Sequence, residues 1–268
     1  MVGVKYQLII LMTCMALCVG VCSAAGFNVA TYADLCKVGT GMDGWTLDAS
    51  YVQTADIQCP AGENFTPIGS TSYPFTGNYD GQNYTILGMD IIFDGYDNIG
   101  MFSIIEGATL TNIVLNDVII SGDENVGTLV GTSVNSTITN CHTTGRVEGT
   151  TCVGGIVGFS TSPEYNIENF TVNECTSSVQ VTGSMKCGGA IGELLFGSVS
   201  DTYVSGNISG NNTGGGLIGF NRGLVTRCSA TGSVSIVDGQ GYISGGLIGD
   251  NSEGSVSESY ATGDVIGC

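Results

Sequence analysis

The stretch Gly215-Gly216-Leu217-Ile218-Gly219 is one of five glycine-flanked apolar motifs that recur along the chain. Their first glycines lie 27, 34, 27 and 30 residues apart, and Gly100 begins a weaker copy 27 residues before the first of them. A period of this length is typical of proteins in which each repeat buries its apolar face against its neighbours. The repetition therefore predicts a stacked architecture. The five motifs are GTLVG at 127–131, GGIVG at 154–158, GGAIG at 188–192, GGLIG at 215–219 and GGLIG at 245–249.

Three further columns of residues keep one register through unequal repeats. A β-branched column steps by 34, 27, 26 and 31 residues, and columns beginning at Cys141 and Val147 follow the same steps. Glycine, serine, threonine and β-branched residues dominate each repeat, and these favour turns and strands over helices. We therefore predict an all-β fold, a parallel β-helix (β-solenoid) of about six recognisable coils with about 27 residues each. An antiparallel sandwich is the alternative, but it does not require columns in register. The β-branched column consists of Ile138, Val172, Val199, Val225 and Val256.

The chain divides into three segments. Residues 1–24 resemble a signal peptide, with Lys5, an apolar run over 8–21 and small residues at 23–25, and they predict export to the cell surface or medium. A signal anchor is the alternative, although about 14 apolar residues are short for a membrane span. Residues 25–99 are a β-rich entry or cap segment without the glycine motif, and 100–268 carry the repeat. Since another glycine motif is due after Val265, we expect the natural protein to continue, and an exposed final coil would favour end-to-end association.

Charge narrows the classes of partner. The chain has 24 acidic and 6 basic side chains, a formal net charge of −18, so it lacks the basic surface that nucleic acid binding requires. No segment after the leader is apolar enough to span a membrane. His142 is the only histidine, and with no paired cysteine motif near it the sequence predicts neither a metal site nor a cofactor.

Cysteines and sequons are the candidate modification sites. Eight of the eleven cysteines follow the predicted leader, an even number that is compatible with disulfides in an exported chain. Cys141 and Cys175 fall in one column of adjacent coils, within disulfide distance, although stacked reduced thiols are the favoured interpretation. Cys36 and Cys59 flank the first predicted strands and are the other candidate bridge. Six sequons are candidates for glycosylation: Asn64, Asn83, Asn135, Asn169, Asn207 and Asn211.

Two sets of residues are candidates for a functional surface. Carboxylates on a β-helix face can cleave acidic polysaccharides, but solvated turn residues are the favoured interpretation here, since no cluster of arginine or lysine accompanies them. Tyr203, Tyr242 and Tyr260, with Phe159 and Phe220, could form an aromatic strip, against the alternative of scattered half-exposed rings. The candidate carboxylates are Asp90, Asp94, Asp97, Asp123 and Glu124.

The repeated motif resembles that of extracellular proteins with GLUG repeats. Residues 216–219 and 246–249 match the Gly-Leu-hydrophobic-Gly core, 155–158 is close, and the stretches 65–69 and 75–81 look like the segment that often precedes such repeats. The resemblance implies a right-handed β-helix in secreted or cell-surface proteins, often large adhesin-like ones. Similar repeats also accompany the catalytic domains of some surface metallopeptidases. The His-Glu-x-x-His motif that such a peptidase needs is absent from the sequence.

These observations favour a non-catalytic extracellular or cell-surface segment, structural or adhesive, that displays loops to a protein or glycan partner. Two alternatives remain: a carbohydrate-active β-helix enzyme, and an accessory repeat region of a larger surface peptidase.

Overall fold

The computed structural model describes residues 26–162, 170–237 and 243–267. The predicted leader, the insertion around Pro163, Asn169, Tyr242 and Cys268 lie outside these ranges. The described residues form short strands with one α-helix, Tyr32–Leu35, and one 3-10 helix, Met42–Gly44. Neither of these two helices has the length or the apolar character that crossing a membrane requires.

The strands of the described residues belong to four parallel sheets, which we number 1 to 4. Each full coil contributes to these sheets in that order along the chain. Sheet 1 contains Phe27–Val29, Ser50–Gln53, Asn78–Asp80, Thr109–Thr111, Thr137–Thr139, Thr171–Asn173, Ser198–Ser200, Leu224–Thr226 and Ser255–Ser257. Sheet 2 contains Ile57–Gln58, Thr85–Leu87, Asp90–Ile92, Val114–Ser121, His142–Glu148, Thr176–Thr182, Tyr203–Val204, Ile208–Gly210, Ser229–Ala230, Val234–Ile236, Tyr260–Ala261 and Val265–Gly267.

The two smaller sheets complete each coil. Sheet 3 contains Glu124–Gly127, Thr151–Gly154, Met185–Gly188, Thr213–Gly215 and Ile243–Gly245. Sheet 4 contains Phe102–Glu106, Val130–Val134, Val157–Thr161, Ile191–Leu194, Ile218–Asn221 and Ile248–Asp250. The chain is thus a parallel β-solenoid of about eight turns with coils of about 28 residues. This exceeds the six coils predicted from the motif because strands before Gly100 join sheets 1 and 2.

The predicted columns are confirmed as stacked pairs. Val199 pairs with Val172 on one side and Val225 on the other in sheet 1. In sheet 2, Val181 pairs with Val147 and Ile208. All six of these side chains are buried, so the aliphatic columns form the interior of the coil.

Each glycine motif forms the corner between sheets 3 and 4. The first glycine of a motif pairs with the first glycine of the next, as Gly188 does with Gly154 and Gly215. A Cβ atom at Gly188 would lie 2.0 Å from the carbonyl oxygen of Ile191, far inside contact distance. Neighbouring backbones therefore approach too closely at this corner for any side chain, which explains why glycine recurs there.

The core changes in size along the solenoid. In the inner column of sheet 1, Tyr51 and Tyr79 of the entry segment are followed by Leu110, Ile138 and then valines. The two tyrosine rings stack with their centroids 6.5 Å apart, and Phe75 packs against Tyr51 at 6.1 Å. Aromatic packing thus supplies the burial where the glycine motif is missing.

Residues with a left-handed backbone conformation stack from coil to coil at the turn between sheets 1 and 2, and we call this stack the left-handed ladder. Its first members are asparagines, which tolerate positive φ, and the Asn140 amide donates to Asn112 Oδ1 at 2.7 Å. Later coils place charged residues there, and Arg227 makes two hydrogen bonds to the carboxylate of Asp201. The ladder comprises Asn83, Asn112, Asn140, Glu174, Asp201, Arg227 and Glu258, with φ between 47° and 61°.

The second glycine of the motif allows a matched test of close packing. At Gly216 a Cβ atom would lie 2.1 Å from the carbonyl oxygen of Gly246, whereas at Gly246 the nearest atom is the Ala261 Cβ at 3.1 Å. We expect Gly216→Ala to lower the free energy of unfolding by about 2 kcal/mol or more, because the coils cannot separate locally. Gly246→Ala, the control, should cost much less. Urea unfolding of both variants measures the difference, and equal midpoints would contradict this account.

Candidate binding surface

The outward face of sheet 2 is a polar surface that extends through the four central coils. Residues alternate along each strand, so that Val147 and Val181 point inward while their neighbours point outward. Hydroxyl and amide groups dominate the outward columns and stack in register from coil to coil. The four central coils contribute His142, Thr144, Arg146, Glu148, Thr176, Ser178, Gln180, Thr182, Tyr203, Ser205, Asn207, Ser209, Ser229, Thr231, Ser233 and Ser235.

A cavity of about 210 Å³ opens on this face beside Tyr203, and we call it the Tyr203 cleft. Tyr203 is 50% exposed because its column neighbours, Thr176 and Ser229, are small. Nδ1 of His142 contacts the Thr176 hydroxyl, which fixes the imidazole at the cleft margin. The lining residues are His142, Thr176, Ser177, Ser178, Tyr203, Val204, Ser205, Ser229 and Thr231.

A second groove, of about 300 Å³, follows the corner between sheets 2 and 3. Gly149, Gly183 and Gly210 belong to its lining, and polar side chains including Glu148 and Asn211 complete it. None of the lining residues that the structure describes is aromatic. These residues offer hydrogen bonds and one carboxylate, but no ring against which an apolar ligand surface could stack.

The structure divides the proposed aromatic strip between two faces. Tyr203 and Tyr260 lie in one column of sheet 2, separated by Ser229. Phe159 and Phe220 instead lie in sheet 4, in a column with Glu193 between them. The sequence alone does not show that the strand after each glycine motif belongs to a different sheet from the strand that contains Tyr203.

Three of the candidate carboxylates accept hydrogen bonds from the neighbouring coil. Asp94 accepts a hydrogen bond from the Ser121 hydroxyl, and Asp123 accepts one from the Thr150 hydroxyl. Asp97 likewise accepts from the Glu124 backbone N–H at 3.2 Å. Each bond joins residues 27 apart, so these carboxylates connect successive coils. Asp90 lies in a strand of sheet 2.

Within the described ranges, no three acidic, histidine or cysteine side chains are placed to hold a metal ion.

The sequons differ in what their amide groups do. The Asn64 amide both donates to and accepts from the backbone of Ile92, at 2.8 and 2.6 Å. Asn83 belongs to the left-handed ladder. Asn135 is partly buried, and its Oδ1 atom is buried without a hydrogen-bond partner among the described residues.

Asn207 and Asn211 are the sequons of the sheet 2 margin. Asn207 is exposed, and its Oδ1 accepts two hydrogen bonds from Ser233, each 3.0 Å long. Asn211 is exposed in the polar groove. Glycosylation at these positions stays a prediction, and Asn169 lies outside the described residues.

All seven cysteines of the described ranges are free thiols. Cys141 and Cys175 are neighbours as the columns predict, since the Cys141 backbone N–H lies 3.4 Å from the Cys175 sulfur. Cys36 is exposed at the end of the α-helix, whereas Cys59 is buried. The two candidate bridges stay predictions.

A buried polar cluster joins two adjacent repeats and was not foreseen from the sequence. The Cys152 thiol donates to Glu193 Oε2 at 3.0 Å, and Lys186 Nζ lies 2.6 Å from the same oxygen. Burial raises the pKa of the Cys152 thiol well above its usual range, and the Glu193 carboxylate raises it further. Lys186 also lies over the Phe220 ring, 5.1 Å from its centroid. The only sequence signal is positional, because Cys152 and Lys186 are equivalent residues of adjacent coils.

Comparison with known proteins finds partial similarity to surface proteins but does not define a family. No family model matches it. Halomucin of Haloquadratum walsbyi is 37% identical over 121 residues, 41% of this chain and 1% of halomucin. The immunoglobulin A1 protease of Streptococcus sanguinis is 24% identical over 229 residues, 81% of this chain and 12% of that protease. The chain therefore corresponds to a small part of each of these relatives.

A solved structure supports the same fold. A crystal structure of a Bacteroides ovatus protein, described provisionally as an immunoglobulin A1 protease, superposes with a TM-score of 0.75 over 88% of this chain and 75% of that one. The two sequences are 19% identical, so the likeness concerns the fold. The class that sequence and structure define together is a parallel β-helix similar to regions of immunoglobulin A1 proteases.

Thiol accessibility tests the cysteine assignments. In reduced protein from residue 25 onward carrying Cys268→Ser, we expect only Cys36 to react quickly with a disulfide reagent. The other thiols are buried, and burial raises the pKa of Cys59 and Cys187 to about 12, which leaves little thiolate. Mass spectrometry after alkylation counts the reactive groups. Rapid labelling of Cys141 or Cys175 in the folded state would contradict their burial.

The buried cluster should matter more than an exposed ion pair. We expect Glu193→Ala to lower the free energy of unfolding by about 3 kcal/mol, since Lys186 and Cys152 lose their shared partner in a largely buried site. The Glu253 side chain, 78% exposed, pairs with Arg222 at 3.4 Å. Glu253→Ala should cost at most about 0.5 kcal/mol. Thermal and urea unfolding compare the two, and similar losses would contradict the structural role of the cluster.

Proposed function

We propose that the chain is a non-catalytic accessory region of an exported surface protein and that it presents the outward face of sheet 2 to an extracellular partner. The observation that carries this proposal is the continuous polar face, which persists through four coils while the inward column from Val147 to Val234 stays aliphatic. A solenoid held by backbone hydrogen bonds keeps such a face in fixed geometry, so binding requires little loss of conformational entropy.

The comparisons support an extracellular setting. The relatives named halomucin and immunoglobulin A1 protease are secreted or surface proteins, and the matched region amounts to 12% of the Streptococcus sanguinis protease. Such a small share is consistent with an accessory region. The predicted leader over 1–24 favours the same location. Three of the carboxylates considered for catalysis, Asp94, Asp97 and Asp123, accept hydrogen bonds from the next coil, which is why we favour attachment over turnover.

Attachment to cells tests the proposal. Fluorescent protein from residue 25 onward should bind epithelial or microbial cells saturably, and excess unlabelled protein should displace it. A heat-unfolded sample is the control, since an unfolded chain loses the ordered face. Binding that never saturates would contradict a display function.

The enzyme alternative has its own measurement. The same protein is incubated with acidic and neutral polysaccharides, and we expect no new reducing ends. Turnover that disappears in Asp94→Asn or Asp97→Asn would replace the accessory function with a catalytic one.

A further inference from the structure

We propose that the Tyr203 cleft binds the ring of a neutral saccharide. This inference rests on the proposed function, because it names the ligand of the displayed face. The lining contains six serine or threonine residues, one tyrosine, one histidine and one valine. None of these residues carries a fixed charge. The cleft therefore offers one aromatic surface and many neutral hydrogen-bonding groups, which is the chemistry of a sugar ring.

Geometry supports ring stacking at Tyr203. Adjacent parallel strands lie about 4.8 Å apart, and the neighbours of Tyr203 in its column are Thr176 and Ser229. Because both neighbours are small, the tyrosine ring rises above the sheet and stays 50% exposed. A pyranose ring has an apolar C–H face that packs on an aromatic ring, and its hydroxyl groups extend from the ring edge.

The hydroxyl groups of the sugar would meet a second column of the sheet. Ser178, Ser205 and Thr231 occupy equivalent positions two residues along from the Tyr203 column, about 7 Å away along the strands. The Thr176 hydroxyl contacts His142 Nδ1, which leaves the Nε2 atom of the imidazole for a ligand. A ring stacked on Tyr203 is therefore bordered by neutral donors and acceptors.

Charge separates a neutral saccharide from other ligands. An acidic glycan or a phosphate needs arginine or lysine, and the cleft lining contains neither. The net charge of −18 also repels anions. A basic peptide would need a carboxylate, which the lining also lacks.

Tyr260 extends the site along the solenoid axis. It occupies the Tyr203 column two coils later, about 10 Å away, and is 60% exposed. Ser229, a small residue, lies between the two rings in this column. A linear oligosaccharide that follows the axis could stack on both tyrosines, so oligomers should bind more tightly than single sugars.

The test uses neutral glycans with matched variants. Methyl glycosides and linear oligomers of glucose, galactose, mannose and N-acetylglucosamine are titrated against protein from residue 25 onward by calorimetry and on an array that includes sialylated glycans. We expect a neutral oligomer to bind, and Tyr203→Ala to weaken it roughly tenfold. Tyr203→Phe should stay within about twofold to threefold, since it keeps the ring. Tyr96→Ala removes another exposed tyrosine, 66% exposed, and should change nothing.

Four results overturn the inference. Preference for sialylated glycans, or neutral binding that Tyr203→Ala leaves intact in a folded variant, excludes this cleft as the site. Saturable attachment to cells stripped of glycans, with no array signal, replaces the saccharide by a protein ligand and leaves the proposed function standing. Failure to attach to any cell or glycan removes the proposed function itself.

Discussion

The parallel hydrogen bonding between coils is the constraint on which the rest of the structure depends. Each strand pairs with the equivalent strand of the coil before and after it, so a residue in one repeat fixes the height of its counterpart in the next. Close approach of the backbones follows at the corner of sheets 3 and 4, where only glycine fits. Outward positions carry no such restriction, which leaves them free to vary toward hydroxyl, amide and aromatic side chains. The binding surface is thus a product of the same register that builds the core.

Periodic features could be predicted from the sequence because the backbone itself is periodic. The columns of Val199 and Val181, and the pairing of the first glycines, all appear at the predicted neighbours. The entry segment could not be recognised as coiled, since it replaces the glycine corner and aliphatic column with aromatic packing around Tyr51 and Tyr79. Its strands nevertheless join sheets 1 and 2, because parallel pairing requires backbone geometry and tolerates different side chains.

The candidate site was predictable only in part. Tyr203 and Tyr260 could be singled out as aromatic residues of the later coils, but their separation from Phe159 and Phe220 depends on which sheet each strand enters. The Cys152–Lys186–Glu193 cluster was not predictable, because its members are brought together by a corner between sheets rather than by spacing. Lys186 and Cys152 also adopt positive φ, which costs of order 1 kcal/mol for residues of this type. The hydrogen bonds and ion pair of the cluster offset part of that cost.

The side chains in the inner column of sheet 1 become smaller along the chain, from tyrosine through leucine and isoleucine to valine. The two ends of the described solenoid therefore differ in how much apolar area they bury. Coils with larger buried side chains remove more apolar area from water, and these are the coils that leave the ribosome first. Each later coil can then pair with the ordered edge of the coil before it, so that folding propagates along the solenoid. Synthesis and assembly can thus proceed together. Coils with valine in the inner column bury less apolar area, so they should separate at a lower mechanical load than the coils built around Tyr51 and Tyr79.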